Sequence, residues 1–249
     1  MSFTRYDSLK GRTVVVTGGA SGIGAAFVRA FAANGARVGF LDLQEEAGAA
    51  LASELGQLFV PCDLTDIAAL RDALDQVRAA LGPAAVLVNN AANDQRYDFA
   101  TITPAEFDRT IAVNFRHVFF AAQAIAPQMR ELGHGSIVNM SSVSWMRGIP
   151  YLEAYASAKA AIVGFTNTLA RALGPHRIRV NAIAPGMVLT ERQRRLWFAD
   201  ESQIEAGRAQ QCLPDLIAPD DIANLALFLA ADDSRLITKQ CISINGGVL

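Results

Sequence analysis

Between Ser141 and Lys159 the chain reads SSVSWMRGIPYLEAYASAK, which brings a hydroxyl, a phenol and an ammonium into one short stretch. Tyr155 and Lys159 stand four residues apart among the strong helix formers Ala154, Ala156, Ala158, Ala160 and Ala161, so both side chains leave one helical face. The chemistry available to such a pair is acid–base chemistry. A tyrosine titrates near 10 in water, so a phenolate base near pH 7 needs stabilisation by about 3 pH units, roughly 4 kcal/mol. A neighbouring cation is one source of it. Tyr-x-x-x-Lys alone also suits an ordinary pair on a solvated face, and the elements around it have to decide.

Those elements alternate. Thr13 to Thr17 (TVVVT) is a β-branched strand opening into Gly18-Gly19-Ala20-Ser21-Gly22-Ile23-Gly24 and then a helix that ends near Gly35. Glycines let the backbone turn tightly and approach a ligand, and free N–H groups at the helix start attract an anion such as a pyrophosphate. A second strand, Ala36 to Leu41, runs into Asp42, about 20 residues beyond the glycines, where dinucleotide folds hold the adenosine ribose. Asp42 would repel a 2′-phosphate and neither Gly19 nor Leu43 is cationic, which favours NAD; Asp42 also suits the N-cap of a helix from Gln44 to Leu55.

Further strands are expected at Gln57 to Val60, Ala85 to Val88, Gly135 to Met140, Ile178 to Ala184 and Cys241 to Ile244, with a helix from about Asp66 to Leu81. Thr103-Pro104-Ala105-Glu106 is a capping box starting one long helix whose apolar face includes Ile111, Phe115 and Ile125, with the polar Asn114 among them. The Tyr155 helix should stop at Gly174-Pro175, a glycine cap followed by proline. Residues Met187 to Pro214 lack a strand pattern and read as a substrate lid; Pro219 to Ala231 reads as an apolar helix. Seven strands alternating with helices imply a single doubly wound α/β domain over residues 1–249, with a parallel sheet covered on both faces.

Composition agrees with that class. Hydrophobic residues make up 51% and charged ones 18%, as expected where strands are buried on both sides. A net charge of -2 without a basic stripe argues against nucleic acid. Cys62, Cys212 and Cys241 are odd in number and far apart, which fits a reduced, cytoplasmic setting; His117, His134 and His176 are scattered, so no metal is expected. The opening MSFTRYDSLKGR has no apolar core of a leader, and no run is long enough to span a membrane.

The ordered set TGGASGIG (Thr17 to Gly24), NNAA (Asn89 to Ala92), Asn114, Ser142, Tyr155 with Lys159, and Pro185-Gly186 resembles the short-chain dehydrogenase/reductase family over essentially the whole chain. Ser142, not Ser141, lies thirteen residues before Tyr155, the family's spacing. The resemblance implies a Rossmann-type fold, with Tyr155 as acid/base, Lys159 as its electrostatic partner and ribose ligand, Ser142 as donor to the substrate oxygen, and Asn114 as holder of a relay water. It assigns Gly18, Ser21, Gly22, Ile23 and Gly24 to the pyrophosphate, Asp42 and Leu43 to the ribose, and Asp63 and Leu64 to the adenine. Asn90, Ala91, Pro185 and Gly186 fall along the middle of the cofactor, Val188 and Thr190 at the carboxamide. Ala92 departs from the family's usual glycine.

Asn93 to Arg96, Ile111 to His117, Ser144-Trp145, Thr190 to Gln193 and Gln211 to Leu213 look like the family's NAD-linked sugar 1-dehydrogenases. A pyranose wants fixed polar partners and an aromatic face, for which Asn93, Arg96, Ser144, Trp145, Met187 and Trp197 are candidates beside Ser142 and Tyr155. The resemblance also implies a homotetramer built on the helices around Glu106 and Tyr155. Alternatives are a polyol or secondary-alcohol dehydrogenase, a 3-oxoacyl reductase, and a NAD-binding sensor or scaffold without turnover.

Overall fold

The computed structural model describes residues 3–249; Met1 and Ser2 of the polar opening stretch lie outside them. Seven strands form: β1 (Thr13–Thr17), β2 (Arg37–Asp42), β3 (Leu58–Pro61), β4 (Ala84–Asn89), β5 (Gly135–Met140), β6 (Ile178–Pro185) and β7 (Cys241–Ile244). They make one sheet in the order β3-β2-β1-β4-β5-β6-β7, with every pairing parallel. Strands β1, β4 and β5 are buried at every position, because helices cover both faces and remove the usual in–out alternation.

One face is packed by α1 (Gly22–Ala33), α2 (Glu45–Leu55) and a late helix, Pro219–Ala230, over a core that includes Phe27, Phe31, Phe40, Ile222 and Leu227. The other is packed by α3 (Ile67–Leu81), the helix His117–Leu132 and the helix Glu153–Leu173 over Leu74, Leu87, Ile125, Met129 and Ile137. The chain moves outward from β1 to β2 and β3, then crosses back to β4 and continues the other way. That reversal opens a crevice at the carboxyl ends of β1 and β4, where such sheets take their ligands.

One expectation fails locally. The capping box forms as read, with the Glu106 amide donating to Thr103 Oγ1 at 3.3 Å and Glu106 Oε2 accepting from the Thr103 amide at 2.8 Å. The helix it starts, however, is not continuous: α4 (Pro104–Ile111) passes through a π-helical turn, Ala112–Arg116, before α5 (His117–Leu132). The cause lies in Asn114, whose side-chain amide donates to the Thr110 carbonyl at 2.9 Å and so competes with the backbone ladder. Gly174 caps the Tyr155 helix after Leu173, as read. It stays right-handed at φ −52°, and Arg177, at φ +57°, makes the turn into β6.

Between β5 and α7 (Glu153–Leu173) lies the one-turn α6 (Ser144–Arg147); after β6 come α8 (Glu191–Leu196) and α9 (Glu201–Arg208), before α10 (Pro219–Ala230). Among the described residues no helix is long and apolar enough to cross a membrane. Phe31 is fully buried in the core between α1 and the sheet, so Phe31→Ala is expected to lower unfolding free energy by roughly 3–5 kcal/mol in urea titrations; a loss under about 1 kcal/mol would contradict this packing.

Candidate active site

The crevice is walled first by backbone. After Thr17 the chain turns through Gly18, at φ +66°, and Gly22, at φ +54°, both in the region that favours glycine. A methyl on Gly24 would lie 1.7 Å from the Gly18 carbonyl oxygen, so only glycine lets α1 start this close to β1. The Asn90 amide donates to the carbonyl oxygens of Thr17 at 3.1 Å and Gly18 at 2.8 Å, lacing β4 to the turn. Ser21, the N-cap of α1, makes no side-chain cap bond, which leaves the first-turn N–H groups for an anion.

At the end of β2 the Asp42 carboxylate is buried and accepts from the amides of Ala20 at 2.9 Å and Gln44 at 3.0 Å. The N-cap of α2 is Gln44, so the capping role considered for Asp42 is not realised. Oδ1 also accepts from Gln44 Nε2 at 3.3 Å, while Oδ2 retains a lone pair for a ribose hydroxyl. The side chains around it are Ser21, Leu43 and Gln44, none cationic, and Gln44 Nε2 donates to Ser21 Oγ at 2.9 Å. Gln44 was not singled out in the sequence; a glutamine after the acidic residue carries no pattern of its own. These residues fit a dinucleotide, with a glycine cradle for the pyrophosphate and a carboxylate for the ribose.

The far wall comes from β5 and α7. Ser141 Oγ donates to the Lys159 carbonyl oxygen at 2.8 Å, and Lys159 Nζ donates to the Met140 carbonyl oxygen at 2.8 Å, so strand end and helix are stitched together in both directions. Ser141 is thereby spent on structure. Ser142 Oγ accepts from the Ser144 amide at 3.1 Å and remains beside the phenol. Lys159 Nζ lies 5.6 Å from the centroid of the Tyr155 ring.

The electrostatics differ from the simple expectation. Burial pushes the Tyr155 phenol well above its ordinary range; the Asp94 carboxylate pushes the same way, and the Ser142 hydroxyl works against both. Burial lowers Lys159 to about 7, opposed by Asp94. The free protein therefore does not present the acidic phenol that the Tyr-x-x-x-Lys spacing suggests, because desolvation drives both groups towards their neutral forms. His117 is fully buried, with Nε2 3.2 Å from the Ala91 carbonyl oxygen, and burial, with the Lys159 charge, lowers it to about 4.

One cleft of about 1100 Å³ collects every residue assigned above to the cofactor, together with Ser142, Tyr155, Lys159, Asn93, Arg96, Ser144 and Met187. Three candidates are not on its wall. Asn114 is fully buried: its Oδ1 accepts from the Asn93 amide at 3.0 Å and its Nδ2 donates to the Asn93 and Thr110 carbonyl oxygens, both at 2.9 Å. Its side chain holds the loop after β4 in place. Trp197 lies under the Arg96 guanidinium, 4.2 Å from the ring centroid, and Trp145 donates to Ser141 Oγ at 3.3 Å; neither indole offers the cleft an aromatic face. By contrast, the Ser144 hydroxyl is buried and unpartnered.

Comparison with known proteins accords with this geometry. A family profile described as enoyl-(acyl carrier protein) reductase matches residues 18–249. A Rhizobium meliloti (strain 1021) protein described as a probable galactose dehydrogenase is 48% identical over 98% of both chains. The D-xylose 1-dehydrogenase of Caulobacter vibrioides is 44% identical over 99% of both. The crystal structure of a short-chain alcohol dehydrogenase candidate from Sinorhizobium meliloti 1021 superposes with a TM-score of 0.91 at 31% identity, over 98% of each chain. The chain belongs to the short-chain dehydrogenase/reductase family. It is an oxidoreductase of that family and uses a nicotinamide cofactor.

The lowered Lys159 has a thermodynamic signature. The unfolded chain holds that proton up to 10.5, whereas the folded chain releases it near 7, so the unfolded state binds more protons between these values and stability rises with pH across the window. Lys159→Met is expected to flatten that part of the pH–stability curve in denaturant titrations; an unchanged slope would show that the folded lysine titrates normally.

Proposed function

We propose that this short-chain dehydrogenase oxidises an aldose at its anomeric carbon with NAD, giving the lactone. The observation that carries the reading is the polar wall beside Tyr155 and Ser142, where the unpartnered Ser144 hydroxyl stands with Asn93 and Arg96 around a single cleft shared with the cofactor cradle. Relatives described as galactose and D-xylose 1-dehydrogenases support it. The buried Asp42, without a cationic neighbour, supports NAD over NADP. The bound nicotinamide supplies the hydride acceptor and a positive charge.

Tyr155 takes the proton of the anomeric hydroxyl, and Ser142 holds that oxygen in line with the phenol. Lys159, pinned to Met140, places its amino group on the Tyr155 ring side and binds the ribose. Because burial opposes phenolate in the free chain, Tyr155 ionises as positive charge enters the cleft. Asn114 fixes the loop of Asn93 through its paired bonds. The segment from Met187 to Pro214, carrying α8 and α9, acts as the lid. The free thiols of Cys62, Cys212 and Cys241 suit a cytoplasmic setting. Phe119, on α5, is part exposed and stacks on Phe165 of α7, an apolar surface that a second copy would cover in a tetramer.

With NAD and a panel of xylose, arabinose, galactose, glucose, fucose and rhamnose, at least one sugar is expected to produce reduced cofactor, with NADP weaker. Silence on all six, with turnover of polyols or 3-oxoacyl thioesters, would overturn the aldose reading. Tyr155→Phe is expected to lower kcat by about a thousandfold or more with NAD binding retained. For oxidation, kcat/KM is expected to climb as pH rises from 7 towards 10, since the reactive form is the phenolate; a falling profile would contradict the assigned base. Light scattering is expected to give a tetramer mass.

A further inference from the structure

The loop leaving β4 carries a carboxylate that the assignments above leave without a task. Asp94 lies in the wall of the same cleft as Ser142 and Tyr155 and is held from two sides. From the segment after β6, Gln193 Nε2 donates to Asp94 Oδ2 at 2.7 Å, and an Arg192 guanidinium nitrogen stands 3.5 Å from Oδ1. That guanidinium also donates to Asn93 Oδ1 at 2.8 Å. From below, Asn114 clamps the Asn93 backbone with its two reciprocal bonds. The Asp94 side chain is nonetheless 19% exposed, so the carboxylate is fixed but not sealed, and each oxygen keeps a lone pair for a further donor.

We infer that Asp94 is a substrate-binding residue that accepts a hydroxyl of the sugar close to the carbon being oxidised, and that it thereby selects polyhydroxylated substrates. The inference rests on the aldose reading above and deepens it. A fixed acceptor-only group needs a donor, and a charge-assisted O–H···O⁻ bond is stronger than a neutral one. The charge also has a disadvantage. Asp94 raises the Tyr155 phenol and so opposes formation of the base. A latch needing only to hold Arg192 and Gln193 could use an amide without that penalty; a carboxylate repays it by binding a hydroxyl. An acyl thioester offers no hydroxyl donor beside its reacting carbon and would cover the remaining lone pairs of this carboxylate without bonding them.

The test is steady-state kinetics of the full chain with NAD, comparing the best aldose with its 2-, 3- and 4-deoxy forms, for wild type, Asp94→Asn and Arg192→Met. Asp94→Asn is expected to reduce kcat/KM for the intact aldose by about tenfold or more, chiefly through KM, and by much less for the one deoxy sugar that lacks the recognised hydroxyl. Arg192→Met, which loosens the latch but keeps the carboxylate, is expected to affect intact and deoxy sugars by the same factor. Should Asp94→Asn fold poorly by thermal melting, Asp94→Glu takes its place, expected to keep the discrimination among deoxy sugars with a shifted KM. If the Asp94 variant lowers all sugars equally, as Arg192→Met does, or leaves kcat/KM unchanged, Asp94 is only a latch and the inference is overturned. A wild-type chain inactive on every aldose would instead overturn the aldose reading, and this inference with it.

Discussion

Burial of a phenol and an amine one helical turn apart is the constraint on which the rest of the site depends. Tyr155 and Lys159 both stand in a wall dry enough to drive each towards its neutral form. The lysine cannot leave, because Nζ donates to Met140 and its own carbonyl receives Ser141 Oγ, so α7 is fastened to the end of β5. A pair held neutral by desolvation responds strongly to any charge brought beside it, since the same low dielectric that penalises isolated charges amplifies attraction between them. The free chain is thus set to respond to what binds, and Asp94 and His117 sit within the same electrostatic environment.

The frame around that pair is built largely from amides at strand ends. Asn90 closes β4 onto the glycine turn after β1, and Asn89 Nδ2 donates to Asn139 Oδ1 of β5 at 2.9 Å. Asn139 Nδ2 continues to Thr166 Oγ1 of α7 at 3.0 Å. Asn114 then ties the π turn before α5 to the loop beyond β4. Buried amides with geometrically fixed partners hold the switch point rigid, so cradle, phenol and loop keep their separations, and Arg192 and Gln193 of the segment after β6 reach that loop through their side chains.

Much of the fold was legible because buried parallel strands leave plain marks: TVVVT and the run through Val86 to Val88 are apolar without alternation, and glycine or proline punctuates nearly every crossover. Ser142 could be told from Ser141 by spacing, and the structure supplies a reason, since Ser141 is bonded to Lys159 and Trp145. What stayed hidden depends on tertiary competition. The π turn arises when a side-chain amide displaces a backbone bond, which no periodicity records. Trp197 read as a sugar platform but is stacked by Arg96, a contact between loops 101 residues apart in sequence. Asp94 fell within the stretch likened to sugar 1-dehydrogenases but had no role of its own until folding set Arg192 and Gln193 beside it. The sign of the Tyr155 shift escaped for the same reason: sequence shows the neighbouring lysine but not the dryness around both.

The most direct measurement is the ultraviolet difference spectrum of wild type against Tyr155→Phe as a function of pH, with and without saturating NAD, which reports the phenolate of Tyr155 itself. Without NAD no Tyr155 phenolate is expected below about pH 10, and with NAD its ionisation is expected at clearly lower pH. A phenolate already present near neutral pH in the free protein, or a titration that NAD leaves in place, would contradict the account.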